Sequence, residues 1–177
     1  MSQQVVITPT QMLREADALG WVAQVPRSRQ LLRALDDSIR AELGARGIDK
    51  QWVFPEALER SAQRNPSYAV DPYTLDARGL ASSSVVPGTR VAGALATQLR
   101  TMVALQESAR AVLIPVELRF DRLPSGEGAA VLHVALVDAR MGDIRWTGDV
   151  RSNPSPTFSR ALLSSLAAHL ADLITAP

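Results

Sequence analysis

The sequence predicts a mixed α/β (α+β) fold, one sheet ending in a three-strand antiparallel meander with helices packed on it, in the order β-α-β-α-loop-α-β-β-β-α. Three observations predict it. Residues 110–151 read as three strands whose joining turns are too short for crossovers, so neighbours must be antiparallel. Leucine stripes at helical spacing run through 28–46 and 156–174. Short β-branched or aromatic runs, 5–10 and 51–54, flank the first of those helices.

Taken in order, Val5-Val-Ile-Thr-Pro-Thr10 is the first strand, ended by Pro9. In 11–26, Met12, Leu13, Ala16 and Leu19 suit a turn or two of helix stopped by Gly20, with Trp21 folding back as a plug on the core. Ser28 is a candidate cap for the next helix, which places Leu31, Leu32, Leu35, Ile39 and Leu43 on one side and stops at Gly47. Gln51-Trp-Val-Phe54 is a second short strand. Pro55 suits the first turn of a short helix running to Arg64.

Residues 65–88 carry Pro66, Pro72, Pro87 and Ser82-Ser-Ser84, which interrupt any period. Tyr68, Tyr73, Leu75, Leu80, Val85 and Val86 are too apolar for a solvated linker. The segment is expected either to fold down as a lid or to present Tyr68 and Tyr73 to a partner. Thr89 or Arg90 then opens a helix with Val91, Leu95, Leu99 and Met102 on its apolar side.

In the meander, Val112 to Phe120 alternates apolar and polar residues, and Pro115 marks an edge-like or bulged point. Ala130 to Asp138 is apolar on both faces except for His133, so both faces are expected to be covered. The third strand sets Ile144, Trp146 and Val150 on one face, with Gly148 breaking the row. Trp146 is expected in the core. Ser155 and Pro156 cap the last helix.

A length of 177 residues with 46% hydrophobic content suits one domain, 1–177, with a real core. A net charge of +1 leaves no basic stripe for nucleic acid. There is no cysteine, which excludes disulfides and thiolate chemistry, and no apolar run long enough for a transmembrane helix. Met1-Ser-Gln-Gln runs straight into the first strand, a start compatible with a removed export signal and equally with a cytoplasmic protein.

No catalytic motif, cofactor site or metal site is expected. His133 and His169 lack short ligand spacing and read as half-buried fillers. The acidic residues Asp36, Asp37, Glu117, Asp121, Asp138, Asp143 and Asp149 read as turns and solvated faces more readily than as a hydrolytic pair. Arg119, Arg122, Arg145 and Arg151 offer either a basic strip for an anionic or protein partner, or Arg–Asp pairing across strands.

The stretches Val5-Val-Ile-Thr-Pro9, Arg110-Ala-Val-Leu-Ile-Pro115 and Leu136-Val-Asp-Ala-Arg-Met-Gly-Asp-Ile-Arg-Trp146 carry a resemblance. The last is similar to a hairpin of bacterial envelope lipoproteins: the curli-secretion CsgG-like proteins, the penicillin-binding-protein activator LpoB and the N-terminal domain of TolB. In that resemblance Asp138 and Gly142 shape the turn and Trp146 packs inward. It implies a non-catalytic, partner-binding role at the periplasmic or outer-membrane periplasmic face. The partner would be another envelope protein or a second copy of this chain. Membrane contact would come only through a lipid anchor, whose cysteine this sequence lacks, and 66–88 has no counterpart. The rival readings are an enzyme, such as a hydrolase, with its site under the 65–88 loop, and a cytoplasmic structural domain.

Overall fold

The computed structural model describes residues 4–25, 27–68, 70–91, 93–106 and 109–177. Its sheet runs in the order β3-β1-β4-β5-β6, formed by β1 (Gln4–Ile7), β3 (Trp52–Val53), β4 (Ala109–Arg122), β5 (Gly128–Asp138) and β6 (Asp143–Arg151). A short β2 (Met12–Leu13) also pairs with β4. β1 is parallel to β3 and β4, and β4-β5-β6 is the expected antiparallel meander. Pro115 sits where the β4–β5 register shifts, because it cannot donate a ladder hydrogen bond.

Two apolar clusters sandwich the sheet. On one face α1 (Ser28–Ala45) and α4 (Arg160–Thr175) bring Leu35, Leu43, Leu166 and Leu170 onto Leu118, Leu132 and Val134. On the other, α2 (Pro55–Arg64) and α3 (Gly93–Ala104) contribute Leu58, Leu95, Leu99 and Met102 against Val112, Ile114 and Val137. β5 is buried along nearly its whole length, as a strand covered on both faces must be.

Several local expectations are corrected. Residues 12–13 are strand, not helix: Gln11 N–H donates to Pro115 O at 3.0 Å and Arg14 N–H to Leu118 O at 2.9 Å, so β4 supplies partners that a helical turn would forgo. Only Val22–Gln24 forms a 3₁₀ turn, while Trp21 plugs the core as expected. Ser28 is the first residue of α1 and no side chain caps that helix. α3 begins at Gly93 rather than at Thr89 or Arg90, because residues 88–91 pair instead with the start of β6. α4 begins at Arg160, since Ser155 exchanges backbone hydrogen bonds of 2.9 Å with Gly128. That leaves Phe158 ahead of the helix, edge-on to Trp21 and Phe120.

The largest correction lies in β6. The register shifts between Leu136 and Val137, so Arg145 is the extra residue of a bulge. Trp146 and Val150 therefore belong to the α1/α4 face, while Ile144 is buried in the opposite cluster. Gly148, which breaks the apolar row, pairs in regular register with Val134. It seats the Trp146 indole, whose nearest carbon would lie 2.7 Å from a β-carbon there.

Candidate functional site

The sequence candidates do not converge on one spot. Tyr68 is 72% exposed after the end of α2. Tyr73 is half-buried against α1, with the Arg33 guanidinium 5.4 Å from its ring centre. Arg119 lies between Asp121 and Asp149, at 3.2 and 2.7 Å. Arg122 donates to Ala18 O at 2.9 Å. Arg145 reaches Asp138 at 3.1 Å, and Arg151 stands 4.0 Å from Asp121. The arginines thus interleave with carboxylates and a carbonyl across the strands.

The 65–88 segment folds down on the sheet. Pro72, Ala77 and Leu80 are buried. Gln11 clasps the segment: its Nε2 donates to Pro72 O at 2.8 Å, and its Oε1 accepts the Leu75 N–H at 3.1 Å. Beneath it, His133 Nδ1 lies 2.7 Å from Asp149 Oδ1, and Nε2 lies 3.1 Å from both Thr147 Oγ1 and Leu80 O. The hydroxyl–imidazole–carboxylate order matches the connectivity of a nucleophilic triad. The Leu80 carbonyl, however, draws an N–H at the nitrogen that would have to accept the hydroxyl proton. The geometry makes His133 a clasp for the segment. His169 plays a similar part, its Nδ1 2.6 Å from Arg151 O. Among the described residues no three His, Asp or Glu side chains converge as a metal-binding group.

Asp36 on α1 opens onto a cleft of about 250 Å³ lined also by Gln11, Glu15, Arg29, Arg33 and Tyr73. Its Oδ1 accepts the Thr10 N–H at 2.9 Å and the Thr10 hydroxyl at 2.6 Å. Burial pushes its carboxyl up to about 6 despite those two bonds, with the Asp37 and Glu56 charges adding to the rise. A carboxyl raised in the folded state costs stability where it is ionised, and the cost disappears as pH falls from about 6 toward the unfolded value. Asp36→Asn keeps an acceptor for Thr10. It is expected to raise stability at pH 8 by on the order of 1–3 kcal/mol and to flatten the pH 4–7 dependence, read by urea denaturation. Equal stability of the two proteins at pH 8 would contradict this.

An apolar groove of about 300 Å³ runs across one end of the sheet, between Val5, Trp52, Leu113, Leu136 and Trp146 and the last turns of α4. Leu173, at its rim, is 48% exposed. No ionisable residue lines it. Trp146 is thus a half-buried wall of the groove and not a core residue. Sequence reasoning missed this site because its lining comes from five strands and a helix end, each of which reads locally as core. The one available signal was the pair of tryptophans on short or bulged strands.

No protein-family model and no curated protein matches the sequence. Among solved structures the chain is similar to the PelC dodecamer from Paraburkholderia phytofirmans in two crystal forms. One, at 14% identity, covers 97% of this chain and 87% of that chain with a TM-score of 0.44. The other, at 13% identity, covers 94% and 84% with a TM-score of 0.43. E. coli LpoB, at 10% identity, is matched over 86% of this chain and 57% of its own, with a TM-score of 0.41.

Proposed function

We propose that this chain is a non-enzymatic protein-binding or assembly domain of the bacterial cell envelope, working in the periplasm or at the periplasmic face of the outer membrane as one domain. The observation that carries the reading is the groove between Trp52, Trp146 and Leu173. It offers apolar contact area and no acid, base or nucleophile, which suits recognition of a partner's apolar side chains rather than chemistry. The envelope setting is supported by the hairpin Leu136 to Trp146, which resembles a hairpin of envelope lipoproteins. Among the described residues no helix is long and apolar enough to cross a membrane. Tyr68 supplies a second contact, since its ring is free while Tyr73 is engaged by Arg33.

A photo-crosslinking amino acid placed at Leu173 is expected to give one discrete adduct in cells of the native organism. The same residue at Arg60, exposed on the opposite helical layer, is expected to give none. The adduct's mass then tells a second copy from another envelope protein. Absence of an adduct at 173, or hydrolysis of p-nitrophenyl acetate that disappears in His133→Ala, would overturn the reading.

A further inference from the structure

The strand order leaves β6 at one edge of the sheet. Which of its backbone groups face outward follows from one bond. Ser152 N–H donates to Ala130 O at 2.9 Å, so the even residues Val150, Gly148 and Trp146 turn their N–H and C=O to β5. The odd residues Thr147, Asp149 and Arg151 turn theirs away. The carbonyl of Arg151, taken by His169 from outside the sheet, agrees.

The two ends of this edge are already covered. His169 holds the Arg151 carbonyl. At the other end Gly88 N–H donates to Ile144 O at 2.8 Å, Ile144 N–H to Thr89 O at 2.9 Å and Val91 N–H to Gly142 O at 2.8 Å. The Arg145 bulge changes which residues face out, so the ladder begun by residues 88–91 stops there. Between the two covers, the N–H and C=O groups of Thr147 and Asp149 have no backbone partner among the described residues.

We propose that the Thr147–Asp149 window of β6 is a strand-addition site, which takes an extended segment of a partner polypeptide in line with residues 88–91. Exposed backbone donors and acceptors at this spacing match another strand's backbone. The Asp149 carboxylate at the window is neutralised in place, paired with Arg119 and His133 at 2.7 Å each. The flanks set the partner's pattern. A residue opposite Gly148 lies beside the Trp146 indole, which fixes an apolar side chain there. Residues opposite Thr147 and Asp149 point to the polar face, where the exposed Arg151 favours an acidic one. The preferred segment alternates polar, apolar, polar. This inference rests on the protein-binding reading and assigns that reading a further contact, made through the β6 backbone beside the groove wall Trp146.

The test uses the full chain and a phage-displayed library of random ten-residue peptides. Enriched peptides are expected to alternate as above and to bind Thr147→Pro at least tenfold more weakly, because proline removes the outward N–H at a position where an edge strand tolerates it. Leu173→Arg, in the groove, is expected to leave peptide binding unchanged. In the unaltered protein the Thr147 and Asp149 amides should exchange rapidly with solvent and become protected when peptide is added, a readout that does not depend on the variant folding. Peptides that bind Thr147→Pro equally well, or that leave these two amides unprotected, would overturn the site. Protection that grows with protein concentration without peptide would replace the foreign segment by a second copy and overturn that part. Failure here with a persistent adduct at 173 would sink the strand-addition site alone.

Discussion

Replacing Trp21 by alanine is expected to cost about 3–5 kcal/mol of stability, and with it on the order of 10 °C of Tm. Trp21 is 4% exposed, edge-on to Phe120 at 5.6 Å and to Phe158 at 6.2 Å. Its backbone is fixed by Asp17, whose carboxylate accepts the N–H groups of Leu19, Trp21 and Val22. Gly128 lies directly beneath the indole: a β-carbon there would overlap the ring and the Leu19 side chain. The space left by alanine would therefore be walled by two aromatic rings and a strand, none free to collapse into it. Trp146→Ala should cost about half as much, since the ring is half in solvent and leaves an enlarged groove rather than a closed cavity. Thermal melts of the two variants decide it, and an equal or larger loss for Trp146→Ala would refute the assignment.

Asp138→Ala is expected to cost about 2–4 kcal/mol. The carboxylate is 4% exposed. Its Oδ1 accepts the N–H groups of Arg140 and Met141 at 3.0 Å, and its Oδ2 takes Arg110 and Arg145 at 2.8 and 3.1 Å. Alanine would leave the turn's amides without a partner and two guanidiniums side by side. Burial alone would raise this carboxyl, but the bonds from Met141, Arg145, Arg110 and Arg140 outweigh it and take the group down to about 2. A carboxyl depressed in the folded state stabilises above its unfolded value and loses that contribution as pH falls from about 4 to about 2, on the order of 2 kcal/mol. Asp36 works in the window above it and with the opposite sign. Wild-type stability should accordingly gain an Asp36 contribution between pH 7 and 4, and Asp138→Ala should remove part of the acid-side fall below 4. A variant with unchanged stability at pH 7, or with the same acid limb as wild type, would contradict the role given to Asp138.

The candidate surfaces were less legible than the fold. The Arg–Asp alternation of the meander was readable because cross-strand pairing is local and periodic. The order hydroxyl, imidazole, carboxylate at Thr147, His133 and Asp149 was not, since it joins two strands and ends on the Leu80 carbonyl of a distant segment. Asp36 looked like a solvated helix residue. Its raised carboxyl comes from burial in the folded chain, against the lowering bonds from Thr10, and helical periodicity encodes neither the burial nor the bonds.

The sequence by itself determined the α/β class, the antiparallel meander, the stripes of α1 and α4, the stop at Gly47 and the turn at Gly142. Each depends on a short-range pattern: alternation, helical spacing, or a glycine at positive φ, 74° and 72° at those two positions. Tertiary structure decided the rest. Whether 12–13 is strand depended on β4 offering carbonyls at Pro115 and Leu118. Whether α3 starts at 89 or 93 depended on β6 offering an edge to residues 88–91, and the start of α4 depended on Gly128 holding Ser155. The face of Ile144 turned on one extra residue at Arg145, because a strand's side chains have a period of two and a single insertion reverses every one that follows. That reversal moved Trp146 from the expected core to the wall of the groove and left Thr147 and Asp149 facing outward, since an unpaired backbone group takes its partner from whatever segment the fold brings alongside.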